Sequence, residues 1–337
     1  MLKFYKILFF NSLIAGTLIA VSAYSWFNMW IGLEINLLSI IPLMKAHNNV
    51  YPAEAAIKYF ITQSLASTLI LFAILMSLNF SEFITNELNY WFMLIMASAL
   101  LTKLGAAPFH AWFPEVMEGL NWMNSLILLT WQKLAPMILV MYNLEMKNFF
   151  TIVIIISSII GGILGFNQIS LRKLMAYSSI THISWMLASM LSMKMIWLNY
   201  FIIYSIISLN IILIFHFFKI FYLNQLLSIM NTDKLIKLFF TMNFLSLGGL
   251  PPFMGFMPKW LVINGLVNSK FYMMSTILII FTLITLYFYL RMTFSTLTIT
   301  MSENLLKKNK MNYLSLIIIN TLTLTGLFMC TIIFNIF

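Results

Sequence analysis

Apolar runs long enough to cross a membrane follow one another along nearly the whole chain. A helix needs about 20 predominantly apolar residues to cross a hydrocarbon core of about 30 Å. The 337 residues are 62% hydrophobic and 8% charged, whereas ordinary soluble domains are about 25% charged. The sequence therefore predicts an all-α polytopic membrane protein without a soluble domain.

The apolar runs predict eleven transmembrane helices joined by short connections. They cover approximately 4–22, 26–44, 54–78, 89–118, 122–142, 149–167, 174–192, 196–221, 236–266, 272–294 and 313–335. The longest connections lie at 223–237 and 295–312. The first run is interpreted as a retained helix, because its apolar part is longer than that of a signal peptide.

The loop charges predict the orientation of the chain. The N-terminal side collects Lys3, Lys6, Lys45, Lys58, Arg172, Lys173, Lys219, Lys234, Lys237, Arg291, Lys307, Lys308 and Lys310, and the other side has Lys147, Lys194 and Lys270. Loops on the inner side of a membrane are enriched in lysine and arginine. We therefore expect the N-terminus inside and, after eleven spans, the C-terminus outside. The same rule explains the net charge of +10 without a nucleic-acid partner.

Two of the predicted spans are interrupted by proline and glycine beside a lysine. The first, LLTKLGAAPFHAWFPEVMEG at 100–119, contains Lys103; the second, LSLGGLPPFMGFMPKW at 245–260, contains Lys259. Both share Pro-Phe-x-x-aromatic-x-Pro, at an offset of 144 residues. Interrupted helices at equivalent positions of two halves indicate the working site of a transporter built from repeats.

The offset also predicts the domain organisation. It maps the first span onto the sixth, so each repeat holds five spans and the second copy crosses the membrane inverted. We expect a single membrane domain with repeats at 1–145 and 146–295, followed by a loop and a final helix at 296–337.

Four charged residues remain well inside the predicted spans: Glu34, Lys103, Lys133 and Lys259. At 1.5 Å per residue, Glu34 lies about 12 Å and Lys133 about 16 Å into its span, which is close to mid-depth. Four such groups cost roughly 10 kcal/mol on insertion scales. One interpretation is a buried ion pair between Glu34 and a lysine. The other is a proton relay, because burial lowers the pKa of a lysine and a nearby carboxylate raises it again.

Three histidines are weaker candidates for the same relay. His182 belongs to the polar strip 177–182, His110 follows the first break, and His216 lies near the end of the eighth span. A lone membrane histidine is often only hydrogen-bonded, and the strip equally fits interhelical hydrogen bonding. The glycines at 161–165 predict close helix packing. The single cysteine, Cys330, excludes a disulfide framework and an iron–sulfur ligand set, and no metal-binding motif is predicted.

Four segments together resemble the antiporter-like membrane subunits of respiratory complex I. They are GLEIN at 32–36, KLGAAPFHAW at 103–112, RKLMAYSSI at 172–180 and GGLPPF at 248–253. The resemblance runs nearly end to end. It implies a multi-pass subunit of the mitochondrial inner membrane, coded by the mitochondrial genome. The fourteen-helix members of the family have three further N-terminal helices, which the count of eleven here lacks.

The resemblance also implies roles, cofactors and partners. Glu34 with Lys103, the central Lys133, and Lys259 on the second broken helix would form the proton relay. Apart from the resemblance, the span pattern places Lys133 in an uninterrupted fifth span, and the inverted repeat predicts that it meets Lys259 near the midplane. NADH, FMN, iron–sulfur clusters and ubiquinone would belong to other subunits, and none to this chain. Partners would be other membrane-arm and accessory subunits and membrane lipids such as cardiolipin.

Two alternatives to a proton-translocating subunit of complex I remain open at this point. One is a subunit of a cation/proton antiporter, which shares the motifs, and the other is an assembly scaffold that moves no protons. Flavin and iron–sulfur companions in the native complex would distinguish complex I from the antiporter. Neutralising the buried lysines without loss of assembly would test the scaffold.

Overall fold

The computed structural model describes residues 4–45, 49–79, 86–230, 234–298 and 320–321. Within these ranges the regular structure is helical, with turns between the helices and an isolated antiparallel bridge between Ser170 and Tyr222. The predicted all-α fold is confirmed. The chain divides into two compact units, Met1–Val153 and Ile154–Phe337, which we call unit 1 and unit 2.

The described residues of unit 1 form seven complete helices. They are α1 (Phe4–Ser22), α2 (Trp26–Met44), α3 (Tyr51–Asn79), α4 (Asn86–Leu104), α5 (Trp112–Gly119), α6 (Trp122–Leu129) and α7 (Trp131–Tyr142). The next helix, α8 (Lys147–Phe166), starts in unit 1 and ends in unit 2. A side-chain cap begins α2, where the hydroxyl of Ser25 accepts the amide of Asn28 at 3.3 Å and so satisfies one of the free donors of the first turn.

The remaining helices belong to unit 2. They are α9 (Leu171–Ser192), α10 (Lys194–Phe218), α11 (Leu223–Met230), α12 (Lys234–Gly248), α13 (Phe256–Asn268) and α14 (Tyr272–Thr298). α9 is the core helix of this unit, because its side chains are buried along nearly its whole length. Those buried side chains include Ser178, Ser179, Thr181, His182 and Ser184, which belong to a polar helix enclosed by protein.

The helices agree with ten of the eleven predicted spans. Seven helical stretches of the described ranges are long and apolar enough to cross a membrane: those of spans 1, 2, 3, 5, 6, 8 and 10, with α6 and α7 taken together as the stretch Trp122–Tyr142. α4 followed by α5 and α12 followed by α13 form the two interrupted spans, and α9 forms the seventh. The eleventh predicted span and the loop before it lie almost entirely outside the described residues.

One detail of the prediction was wrong. The fifth span is not uninterrupted, because α6 ends at Leu129 and α7 begins at Trp131. At the intervening Thr130, both the amide and the hydroxyl donate to the carbonyl oxygen of Leu126, at 3.0 and 2.7 Å, and such side-chain bonds bend helices. The predicted connection at 223–237 contains the short helix α11.

Small residues set the closest helix contacts. A methyl group at Gly32 of α2 would lie 2.5 Å from the backbone nitrogen of Ala20 in α1, and one at Gly16 would lie 2.9 Å from the nitrogen of Asn36. Backbones approach this closely in membrane proteins only where glycine or another small residue is present. This contact fixes the rotation of α2, the helix of Glu34.

The glycine run of α8 also packs closely, as predicted. A methyl group at Gly161 would lie 2.5 Å from Cγ2 of Thr181 and 3.0 Å from the carbonyl oxygen of Tyr177, both on α9. The polar strip 177–182 of α9 therefore lies directly against the α8 backbone.

Candidate functional site

The first break begins where α4 ends. Gly105 adopts a left-handed conformation with φ of 73°, which glycine reaches without steric cost. Its amide donates to the carbonyl oxygen of Thr102, and the amide of Ala106 donates to that of Leu101, both at 3.1 Å. The peptide bond before Pro108 is cis. The chain resumes as a helix at Trp112.

The indole of Trp112 closes the end of α4. Its Nε1 donates to the carbonyl oxygen of Thr102 at 3.0 Å, and its ring packs edge-on against Tyr59 and Phe113. The last carbonyls of a helix have no partner within the helix. A neutral side chain from the second half of the broken span therefore provides a donor to the first half.

Lys103 lies in the last turn of α4 and is only 8% exposed. Glu34, partly buried on α2, is the carboxylate that acts electrostatically on it. Among the described side chains these two do not form an ion pair within 4.0 Å. The two groups interact electrostatically, but they are not a contact pair.

Lys133 lies on α7 and is 2% exposed. Its Nζ is 5.7 Å from the ring centre of Phe113, within the range of a cation–π interaction. Phe113 is also the residue that a methyl group at Gly105 would meet, at 3.2 Å. Phe113 thus contacts both the central lysine and the glycine of the first break.

A hydrogen-bonded chain beside these lysines was missed by the sequence analysis. Gln132, next to Lys133, donates to Oδ1 of Asn36 on α2 at 2.7 Å and accepts from the hydroxyl of Tyr59 on α3 at 3.5 Å. The available signal was the presence of amides in apolar spans, adjacent to Lys133 and two residues after Glu34. Amides buried among helices bond to one another because lipid offers no partner.

The second break repeats the backbone of the first. Gly249 has φ of 76° and the peptide bond before Pro252 is cis. The amide of Gly249 donates to the carbonyl oxygen of Ser246 at 3.0 Å, and the amide of Leu250 to that of Leu245 at 3.3 Å. Each donor and acceptor lies 144 residues after its counterpart in the first break.

The side chain of Lys259 reaches the C-terminal end of α12. It lies on α13 and is 8% exposed. Its Nζ donates to the carbonyl oxygens of Leu247 at 3.2 Å and Gly248 at 2.8 Å. The C-terminal end of a helix has a partial negative charge, and a cation there is stabilised.

His182 is buried in α9 beside the second break. Its Nδ1 is 2.9 Å from the hydroxyl oxygen of Tyr200, and its ring centre is 5.0 Å from that of Tyr204. These three side chains line a small cavity together with residues of the broken span, Ser246, Leu247, Gly255 and Pro258. The tyrosines were missed, although their spacing of four residues places them on one face of α10.

The other two candidate histidines have different surroundings. His110 is partly exposed within the first break, and its Nδ1 lies 3.3 Å from the carbonyl oxygen of Pro108. His216 is exposed in the last turn of α10, with its ring against Phe217. Of the three histidines, His182 is the one that lies in a buried polar cluster, with Tyr200 and Tyr204.

The described residues contain no group of three or more histidine, cysteine, aspartate or glutamate side chains arranged to hold a metal ion. Cys330 lies outside the described residues. The chemistry available at both breaks is that of buried ammonium groups, amides and hydroxyls.

Comparison with known proteins gives consistent similarities. A family model described as NADH:quinone oxidoreductase/Mrp antiporter, transmembrane, matches residues 23–285. The chain is 48% identical to NADH-ubiquinone oxidoreductase chain 2 of Anopheles gambiae, over 97% of both chains. It is 44% identical to the protein of that name from Locusta migratoria, over 97% of this chain and 96% of the relative.

Two solved structures share the fold at low sequence identity. Respiratory complex I from Thermus thermophilus with bound aureothin contains a chain that aligns with a TM-score of 0.86 at 21% identity, over 96% of this chain and 78% of that one. The Mrp complex from Dietzia gives a TM-score of 0.74 at 17% identity, over 85% of this chain and 59% of that one.

Proposed function

The chain belongs to the family of NADH:quinone oxidoreductase and Mrp antiporter membrane subunits, and from this premise we propose that it is a proton-translocating membrane-arm subunit of respiratory complex I. In this role it couples electron transfer from NADH to ubiquinone, performed in other subunits, to proton movement through buried side chains. Extended similarity to chain 2 of the insect oxidoreductases, at 48% identity, favours complex I over an Mrp-type antiporter.

One observation supports this function above all: three lysines are buried at or beside two helix breaks. Lys103, Lys133 and Lys259 are each at most 8% exposed. A lysine at the centre of a membrane helix costs about 2.5–3.5 kcal/mol on insertion scales. Irregular backbone at membrane depth is tolerated where protein or a water-filled cavity surrounds it. Ionisable groups in such places mark ion and proton pathways.

We propose these roles for the residues. Glu34 and Lys103 form an electrostatically coupled pair, Lys133 is the central relay group, and Lys259 is the relay group of the second break. His182, hydrogen-bonded to Tyr200, is the histidine whose surroundings best support participation. His110 and His216 are weaker candidates, since both are more exposed.

The repeat organisation stays a proposal as well. Five-helix repeats at 1–145 and 146–295, with the second inverted, are supported by the matching hydrogen bonds and positive φ angles of Gly105 and Gly249. The meeting of Lys133 and Lys259 near the midplane is a prediction of that arrangement.

The remaining assignments follow from membership in the complex. We propose that the chain has no redox centre of its own, and that NADH, FMN, iron–sulfur clusters and ubiquinone are bound by other subunits. The location would be the mitochondrial inner membrane, with the N-terminus in the matrix and the C-terminus in the intermembrane space. Partners would be other complex I subunits and lipids such as cardiolipin.

The experiment compares Lys133→Met and Lys259→Met with the parent complex. Assembly is followed by native gel, and proton uptake per NADH oxidised is measured in reconstituted vesicles. We expect the assembled complex of either variant to move fewer protons per NADH, because methionine fills the space without exchanging a proton. Lys194→Met, at an exposed position, is the control and should match the parent.

Normal assembly with unchanged proton uptake in both variants would contradict the relay and support the scaffold. Mass spectrometry of the native complex separates the remaining alternative. Flavin- and iron–sulfur-containing companions are expected for complex I, and their replacement by antiporter subunits alone would contradict it.

A further inference from the structure

The end of α12 lies inside a broken membrane span, where its free carbonyl groups need donors. The last four carbonyls of any helix lack partners within it, and lipid supplies none. The amides of Gly249 and Leu250 satisfy those of Ser246 and Leu245. The carbonyls of Leu247 and Gly248 receive the two bonds from Lys259.

The bonds of Lys259 reach backwards across the break, over 12 and 11 residues of sequence. They join the start of α13 to the end of α12. The counter-charge of the ammonium group is therefore the negative end of a helix, and the ammonium is in turn the cap of that helix.

Gly249 determines whether the ammonium can reach this position. A methyl group at Gly249 would lie 2.7 Å from Cδ, 3.0 Å from Nζ and 3.1 Å from Cε of Lys259. All three atoms belong to the far end of a flexible side chain, so an added methyl group would displace the lysine rather than the backbone. Gly249 thus leaves the space that the side chain of Lys259 fills.

The first break offers a matched comparison. Gly105 has nearly the same φ and the same hydrogen bonds. A methyl group there would meet Cβ and Cγ of Phe113, both at 3.2 Å, and no atom of a lysine is among its three nearest contacts. Both positions need glycine for their positive φ, but of the two only Gly249 contacts a lysine among its three nearest neighbours.

We propose that the end of α12 and Gly249 together form the binding site for the ammonium group of Lys259. In this site Gly249 is the positioning residue, and the protonation of Lys259 is coupled to the geometry of the helix break. This rests on the proposed function, because it assumes that Lys259 exchanges protons. When the ammonium is present, the helix end is capped by a charge. When the proton leaves Nζ, the carbonyls of Leu247 and Gly248 lose their charged donor.

The experiment is a set of variants in the intact complex: Gly249→Ala, Gly105→Ala, Lys259→Met and the doubles of each alanine with Lys259→Met. Native gels report assembly, and reconstituted vesicles report protons moved per NADH oxidised by the assembled complex. Both alanines bear the same φ strain, so a purely structural effect should affect the two breaks alike.

We expect Gly249→Ala to lower the proton-to-NADH ratio more than Gly105→Ala. Once Lys259 is methionine, we expect Gly249→Ala to cause no larger fractional loss than Gly105→Ala, because the part of its effect beyond the shared φ strain acts through that lysine. Gly105→Ala should cause the same fractional loss on either background.

The outcomes separate this inference from the proposed function. If Lys259→Met alone leaves the ratio unchanged, the relay role of Lys259 fails. If Lys259→Met lowers the ratio but Gly249→Ala resembles Gly105→Ala, or adds its full loss to that of Lys259→Met, the positioning role of Gly249 is overturned while the relay stands. Failure of Gly249→Ala to assemble while Gly105→Ala assembles, with the same failure on the Lys259→Met background, would also overturn it.

Discussion

The two helix breaks share one backbone but cap it with different chemistry. At the first break the neutral indole of Trp112 donates to the end of α4, and Lys103 belongs to that helix itself. At the second break Phe256 stands where the offset of 144 residues places the counterpart of Trp112. There the donor is the ammonium of Lys259, whose counterpart in the first break is Glu115.

Glu115 shows how far the two positions have diverged. It forms an exposed ion pair with Lys58 at 3.0 Å, and such pairs contribute little to stability. The counterpart of Lys103 in the second break is the apolar Leu247. The same backbone thus carries a lysine before the break in the first copy and after the break in the second.

This difference indicates that the protonation of the lysine is coupled to the capping of the helix end differently at the two breaks. In the first, the helix end is capped whatever the charge of Lys103. In the second, the cap is itself the ionisable group. A change of protonation should therefore alter the second break more directly than the first.

The largest expected effect concerns the start of the second helix half. A methyl group at Gly255 would lie 1.8 Å from the carbonyl oxygen of Ser246, and a backbone atom cannot move aside easily. We expect Gly255→Ala to destabilise the second break by about 3 kcal/mol, the upper range for overpacking. Assembly on native gels and the thermal denaturation midpoint would measure it.

The counterpart of Gly255 in the first break is already alanine, Ala111, and is exposed. Ala111→Gly is therefore the matched control, and its cost should be below about 1 kcal/mol. Equal losses of stability in the two variants would break the comparison, because they would show that the steric contact at Gly255 is not decisive.

An intermediate effect is expected where the first break is capped. Trp112→Phe removes one of the two donors to the carbonyl oxygen of Thr102, which keeps the bond from the amide of Gly105, and should cost about 0.5–1.5 kcal/mol. Thermal denaturation of the assembled complex would measure the loss. Phe256→Trp in the second break is the control, and it should cause no loss of stability, because the counterpart of the Thr102 carbonyl, that of Ser246, accepts from the amide of Gly249 and not from residue 256.

The smallest effect is expected for the pair Glu34 and Lys103. The two interact electrostatically without a contact ion pair, so we expect a coupling energy of about 0.5–1 kcal/mol, the low end for interacting neighbours. Proton-pumping turnover of Glu34→Gln, Lys103→Met and the double variant gives this energy. Strict additivity would count against any direct coupling.

The positions of the breaks and of their lysines were predictable from the sequence. Glycine and proline beside Lys103 and Lys259 disagree with an uninterrupted membrane helix, and the offset of 144 residues related the two sites. The capping donors were not predictable, because the bond from Lys259 to Leu247 depends on how the chain turns between them. The interruption at Thr130 was not predicted, because neither glycine nor proline stands at that position.

The tyrosines around His182 also escaped prediction. Tyrosine is common at membrane interfaces, so Tyr200 and Tyr204 gave no distinct signal until their contacts with His182 were known. Their spacing on α10 was visible, but the face of α10 that meets α9 was not.

The most direct test of the relay asks whether Lys259 must lose a proton or only cap a helix. Arginine keeps the positive charge and the N–H donors but does not deprotonate in proteins. Lys259→Arg should therefore preserve the cap of α12 and assemble on native gels. The measurement is the number of protons moved per NADH by the assembled Lys259→Arg complex in reconstituted vesicles. We predict a ratio as low as that of Lys259→Met; a ratio equal to that of the parent complex would contradict a proton relay through Lys259.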